Sequence, residues 1–269
     1  MFIDTHCHIH DSKMFAELAK SRHLPPPLTP EDYLSIATKN NVTTVITIGT
    51  DAADSQAAVR FAEAHDNVYS TVGIHPSETT DLPNLHQIQE LKNSPKVVAF
   101  GEIGLDYHYP DFDQKAQIRL FEEQLQLAQD LDLPVILHIR EAYPDALAVL
   151  DNFPGLRGVA HSFSDHIKPV EELLKRDLYI GLNGIATFTR DPFQLEAFNA
   201  IPLDRLLLET DAPFLTPKPF RGKINHPAYV KNVGEWVAKS RGLTSDEIAK
   251  VTTKNASNLF NLPAEKGKL

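Results

Sequence analysis

The chain is short of several things, and each shortage narrows what it can be. One cysteine, Cys7, stands among 269 residues. That excludes an intrachain disulfide and fits a reducing compartment, so a cytoplasmic location is expected. No apolar run approaches the about 18 residues that mark a membrane-crossing helix, and no membrane partner is expected. The opening Met1-Phe2-Ile3-Asp4-Thr5-His6 has an acid at its fourth position. It lacks the basic start and apolar stretch of a signal peptide, so no secretory leader is expected. Positive charge is scarce too: 26 Lys and Arg face 36 Asp and Glu, for a net charge of −10. That balance disfavours a broad nonspecific grip on nucleic acid but leaves room for a small basic mouth on an acidic body. A Gly-rich phosphate turn is missing after the first strand candidate. Its absence removes the usual opening of a doubly wound nucleotide-binding sheet.

What is present describes a folded chain, with 42% hydrophobic and 23% charged residues. Short β-branched runs alternate with amphipathic stretches. The strand candidates are Phe2–Asp4, Thr43–Ile48, Val68–Ile74, Val97–Ile103, Pro134–Ile139, Gly158–Ser162, Leu178–Leu182 and Arg205–Thr210. Helical patterns between them include Asp51–His65 and Gln114–Asp130. Thr29-Pro30-Glu31-Asp32 offers an N-cap, a proline at the first helical position and nearby acids. Thr244-Ser245-Asp246-Glu247 reads as a capping box ahead of a C-terminal helix. Eight strand–helix alternations at this length predict an α/β TIM (β/α)8 barrel, one domain over residues 1–269. A doubly wound open sheet is the competitor and supplies no reason for eight units. The Pro-rich His23–Pro27 follows the first strand and not a finished core, so it is not read as a linker.

Twelve histidines need explaining. In a barrel the chemistry sits at the C-terminal strand ends. His6 and His8 end the first strand with period 2, so both rings face one point. Glu102 lies within an apolar strand, where an unpaired carboxylate is costly. His138 and His161 follow the apolar runs of the fifth and sixth strands. Glu209 and Asp211 share a face at the end of the eighth. Each residue alone reads as readily as a bonded core or turn side chain. Together, His6, His8, Glu102, His138, His161 and Asp211 converge on one mouth and predict a metal site. Three or more imidazoles with carboxylates exceed one tetrahedral shell, so two ions bridged by Glu102 are expected.

These segments resemble a known family. Asp4–His8, Gly101–Tyr107, Leu137–Ala142 and Leu208–Pro213 look like signatures of the TatD metal-dependent deoxyribonucleases, which belong among the amidohydrolase-like barrels. Val72–Pro76 and Phe220–Asn225 extend the likeness over nearly the whole chain. The resemblance implies that His6, His8, Glu102 and Asp211 hold one metal, and Glu102, His138 and His161 a second. It also implies 3′-to-5′ exonuclease action on DNA. Where that family often has His-Cys-Phe-Ser-Gly, this chain has His161-Ser162-Phe163-Ser164-Asp165.

For phosphodiester hydrolysis Asp211 is the expected general base, with Glu209 supporting the metal ligands from behind. Arg140, Arg221 (with Lys218 and Lys223 nearby) and His75 are the expected phosphate contacts. Tyr107 and Tyr109 offer rings for bases, and loop packing is favoured for Tyr109. His10 is expected to face the loop. Ile9–Pro30 is much longer than the ~2–6 residues of an ordinary βα connection. Within it Asp11–Arg22 looks helical, and the whole is expected to overhang and narrow the mouth. Zinc, magnesium and manganese all suit such donors. The leading activity is a DNase on 3′, single-stranded ends. The alternative is a bimetal hydrolase of an ester, amide or lactone, such as a D-aminoacyl-tRNA deacylase. A non-catalytic barrel with relic ligands is a third reading. No obligate protein partner is evident.

Overall fold

Alternation of β-branched runs with amphipathic stretches becomes eight parallel strands joined by helices. The computed structural model describes residues 1–79 and 85–263, so residues 80–84 and 264–269 of the expected span lie outside the described residues. The strands are β1 (Phe2–Cys7), β2 (Val42–Thr47), β3 (Val68–Val72), β4 (Val97–Asp106), β5 (Val135–Arg140), β6 (Gly158–Ala160), β7 (Tyr179–Leu182) and β8 (Leu206–Leu208). They pair in sequence order, β1 through β8, every neighbour parallel. The helices are α1 (Ser12–Ser21), α2 (Pro30–Lys39), α3 (Ala52–Glu63), α4 (Leu85–Leu91), α5 (Gln114–Asp130), α6 (Tyr143–Leu150), α7 (Ile167–Lys175), α8 (Ile185–Phe188), α9 (Pro192–Ala200), α10 (Val230–Arg241) and α11 (Ser245–Phe260). The expected TIM barrel is the fold. No helix among the described residues is long and apolar enough to cross a membrane.

Closure between β8 and β1 relies on side chains as well as backbone. The Asp211 N–H donates to the His6 carbonyl and the His8 N–H to the Ala212 carbonyl, both at 2.8 Å. The buried Asp4 carboxylate accepts from the Thr210 N–H at 2.8 Å and its hydroxyl at 2.6 Å. Thr5 Oγ1 donates to the Leu208 carbonyl at 3.0 Å. These bonds replace a regular ladder, so β8 stops at Leu208 and not at the expected Thr210. β6 likewise stops at Ala160, before Ser162 turns left-handed at φ 50°. β1 and β4 run three residues further than their apolar patterns, through the polar Thr5–Cys7 and through Gly104–Asp106.

Both foreseen caps form. Thr29 Oγ1 accepts the Asp32 N–H at 3.1 Å and Thr244 Oγ1 the Glu247 N–H at 3.2 Å, with each acid reaching back to its cap residue. The capped α11 packs Ala256, Leu259 and Phe260 against Ile3, Val98, Ile136, Val159 and Leu207 of the sheet. Asn255 Nδ2 donates to the carbonyls of Leu203 and Leu206 at the start of β8. This apolar plug at the strand starts leaves the strand ends as the face where polar groups gather. Burial of each large side chain there contributes about 1.5–3 kcal/mol.

Candidate metal centre

The strand ends bring His6, His8, Glu102, His138, His161 and Asp211 together. Glu102 is the centre. Its Oε1 lies 2.7 Å from His138 Nδ1 and 2.6 Å from His161 Nε2, while Oε2 lies 3.5 Å from His6 Nε2. On the other side Asp211 Oδ1 lies 3.6 Å from both His6 Nε2 and His8 Nε2. The rings of His6 and His161 stack with centroids 3.9 Å apart. Glu102 can come this close because Gly104, at φ 144°, lets β4 lie against β5; a Cβ there would strike the His138 carbonyl. Asp211 is itself left-handed, at φ 57°.

Several of these groups have their protons fixed by what lies behind them. His8 Nδ1 sits 3.3 Å from the Ile48 carbonyl, which can only accept, so Nε2 faces Asp211 with a free lone pair. His138 Nε2 sits 3.0 Å from Asp106 Oδ2, which leaves Nδ1 for the Glu102 side. Burial pushes the Glu102 carboxyl up, but the charges of His161 and His6 and the bond from His138 hold it well below its usual range. Asp211 is likewise raised by burial and carried below its usual value by His8, His6 and His161. Burial lowers His161, yet Glu102 and Glu209 raise it well above its ordinary value. His6 is lowered, by burial and by the neighbouring His161.

The donor set fits a divalent ion. His6 is fully buried, and neither ring nitrogen has a hydrogen-bond partner. Buried polar atoms are nearly always bonded, so an imidazole left bare among carboxylates marks a position shaped for something else. Among the described residues, His6, His8 and Glu102 bring one donor atom each within 4.8 Å of one another. Glu102, His138 and His161 do the same, as do His6, His161 and Asp211. Imidazole nitrogen with carboxylate oxygen is the chemistry of hydrolytic metal sites.

The family model for TatD related DNase matches residues 3–261. The chain belongs to the TatD family. It is a metal-dependent hydrolase of that family. It is 35% identical over 266 residues to the uncharacterized metal-dependent hydrolase YabD of Bacillus subtilis, covering 97% of this chain and 100% of the relative. It is 34% identical over 243 residues to the 3′-5′ ssDNA/RNA exonuclease TatD of Citrobacter rodentium, covering 86% of this chain and 92% of the relative. Among solved structures, YjjV, a TatD homologue of Escherichia coli, superposes with a TM-score of 0.86 at 32% identity, covering 97% of this chain and 98% of that one.

Around this TatD centre the remaining expected residues take different positions. Glu209 lies behind His161, with Oε1 3.6 Å from Nδ1 and accepting the Ser162 N–H at 2.6 Å. His75 Nε2 lies 3.9 Å from Glu102 Oε1. Its Nδ1 lies 2.8 Å from Ser77 Oγ, whose own hydroxyl donates to Glu78 Oε1 at 3.0 Å, so the Ser77 turn holds the ring with Nε2 facing the cluster. Burial and the adjacent His138 push His75 down to about 3, so its ring is neutral. Arg140 and Arg221 are not among the ligands; they stand on opposite rims. Arg140 lies over the Tyr109 ring at 5.7 Å, and Arg221 over Phe188 at 3.8 Å. Tyr107 is used structurally, its hydroxyl donating to Asp145 at 2.8 Å, while Tyr109 is 59% exposed rather than packed as expected.

Two residues correct the sequence reading. His10 does not face the loop: it turns inward, Nδ1 2.7 Å from Thr47 Oγ1 and Nε2 2.8 Å from Asp54 Oδ1. Asp54 also accepts the N–H and hydroxyl of Thr50, which fastens the end of β1 to α3. Asp106, given no role from sequence, is the anchor of His138. Its spacing four residues after Glu102 on one strand was the available signal. Ile9–Pro30 does contain a helix, α1, capped by Asp11, with Phe15 buried against Tyr33.

Proposed function

We propose that this chain is a divalent-metal-dependent deoxyribonuclease that removes nucleotides from 3′ ends of DNA, single-stranded ends preferred. The observation that carries the reading is His6, a buried imidazole with two unpartnered nitrogens set among Glu102, Asp211 and His161. His6, His8, Glu102 and Asp211 would hold one ion, and Glu102, His138 and His161 a second, with zinc, manganese and magnesium all suited to the donors. Ions bound there supply charge neutralisation at the phosphoryl group and acidify a water.

The protein side of the reaction follows from placement. Asp211 is the ligand carboxylate that reaches the mouth, its side chain 15% exposed against 5% for Glu102. Held ionised, its Oδ1 accepts the proton of the attacking water. Asp106 and Glu209 keep the rings of His138 and His161 in register from behind. His75 lines the phosphate position with its Nε2 edge, while Arg140 and Arg221 contact phosphate from the two rims. The enzyme acts as one domain, 1–269, in the cytoplasm. Phosphodiester chemistry and 3′ polarity draw support from the DNase family and the exonuclease relative.

An ester, amide or lactone hydrolase is the second reading. It is favoured by the acid-rich rim after β4 and β5, where Asp111, Asp113 and Glu141 are exposed. The deciding experiment loads the purified chain with zinc, manganese or magnesium. It compares release from a 3′-labelled oligonucleotide with turnover of an ester and lactone panel. Asp211→Asn should cut kcat about 10²–10⁴-fold with the metal retained. Turnover of the panel alone would overturn the nuclease reading.

A further inference from the structure

The two rims of the mouth differ in charge. In the loops after β4 and β5, one cation, Arg140, faces exposed Asp111, Asp113 and Glu141. In the loops after β7 and β8 the balance reverses: Arg190, Lys218, Arg221 and Lys223 are all exposed. Among the described residues none of these four makes an ion pair, whereas Arg157, Arg176 and Arg205 elsewhere are held by Asp132, Asp151 and Asp177. Two acids of the neighbouring loops are engaged elsewhere. Asp191 caps α9 through the Phe193 N–H and faces His166 at 3.5 Å, and Asp165 accepts the His166 N–H. On a chain of net charge −10, such a local excess stands out.

This rim is also built in place. The Lys218 N–H donates to Thr187 Oγ1 at 2.9 Å, joining the β8 loop to α8. Thr216 Oγ1 donates to the Lys223 carbonyl at 2.7 Å, closing the loop on itself. Arg221 stacks on Phe188 and gives Nη1 to the Thr216 carbonyl at 3.0 Å, which leaves most of its five N–H groups facing outward. Three residues after Arg190, in the first turn of α9, Phe193 is 61% exposed, its ring tilted against His166 at 5.6 Å. Cations interleaved with an exposed ring match an unpaired polynucleotide, which offers phosphates and bare base faces together.

We propose that the loops after β7 and β8 form a track for a single-stranded polynucleotide, whose phosphates meet Arg190, Lys218, Arg221 and Lys223 and one of whose bases stacks on Phe193. The strand therefore runs away from the metal centre across β7 and β8. The acidic β4–β5 side receives only the departing end, beside Arg140. This rests on the nuclease reading above and adds to it the course of the substrate.

The test is the triple variant Arg190→Gln/Lys218→Gln/Lys223→Gln. Its control is Lys115→Gln/Lys239→Gln/Lys250→Gln, which removes the same charge from exposed positions of α5, α10 and α11. Both are made on metal-loaded Asp211→Asn, so that fluorescent oligo(dT) or oligo(rU) stays intact. Thermal melting checks that each folds. The track triple should raise Kd about ten-fold or more and flatten the log Kd against log salt slope by roughly 0.7 per lost contact. The control should leave both unchanged. Phe193→Ala should weaken binding at least about five-fold with an unchanged salt slope. Equal behaviour of the two triples overturns the track even where the active chain digests oligonucleotides. A chain that digests none, yet binds them through the track residues, keeps the track and loses the nuclease reading. Weaker effects on oligo(dT) than on oligo(rU) would assign the strand to RNA.

Discussion

His6 and His10 lie four residues apart, both with buried side chains, and their surroundings are opposite. His10 has each nitrogen bonded, to Thr47 and to Asp54. His6 has neither bonded, although carboxylates stand 3.5 and 3.6 Å away. The fold spends a satisfied network on the residue that only holds a loop, and leaves bare the residue that faces the chemistry. His226 refines the contrast. Its Nδ1 is also unpartnered, but the ring lies between Tyr33 and Tyr229 at 5.2 and 3.9 Å, and among the described residues it belongs to no group of converging metal donors. A bare nitrogen marks a metal position only where other donors converge.

His6→Ala should break the comparison hardest. Hydrolysis should fall by more than the roughly 100-fold that loss of an outer partner costs, and the rise in melting temperature on adding metal should shrink to what the Glu102, His138 and His161 position alone supports. A metal-induced shift as large as that of the wild type would show that His6 is not a ligand. Next comes Asp106→Ala, which frees the far side of His138. Metal affinity or activity should drop about 10–100-fold, and Asp106→Asn, which keeps an acceptor oxygen, should recover most of it. Titration with metal by calorimetry reads both.

The remaining effects concern stability. Burial lowers His226 to about 4, so the unfolded chain takes up its proton first as pH falls. The stability this neutral ring allows is complete above the ordinary histidine value, near 6.5. It drains away between there and about 4, by up to on the order of 3 kcal/mol. Denaturant melts of His226→Phe across that window should be flatter than wild type; parallel curves would remove His226 as the acid-sensitive group. His10→Ala strands Asp54 and Thr47 and should cost about 1–3 kcal/mol, while the metal content of the folded protein stays that of the wild type.

The barrel was legible because eight β-branched runs recur between amphipathic stretches, and Gln114–Asp130 is helical over the span its pattern predicts. The ends of β6 and β8 were not legible. There the ladder yields to left-handed residues and to bonds from Asp4, a contact more than two hundred residues distant in sequence. The gathering of His6, His8, Glu102, His138, His161 and Asp211 could be foreseen from strand position alone, since parallel strands end on one face. Asp106 was hidden inside a run read as apolar strand plus loop. His10 was misplaced because sequence does not reveal that Asp54, on α3, waits to receive it. The exposure of Tyr109 and the unpaired cations after β7 and β8 depend on loop geometry that periodicity does not encode.

The seam that closes the barrel has a consequence for the life of the molecule. His6 and His8 stand about two hundred residues ahead of Asp211 in the chain, yet Asp211 is joined to His6 across that seam through its own N–H. A chain cut short of Asp211 would carry five of the six side chains that meet at the mouth and would lack the carboxylate that both His6 and His8 face. Completing the set and shutting the cylinder are thus one and the same event in folding.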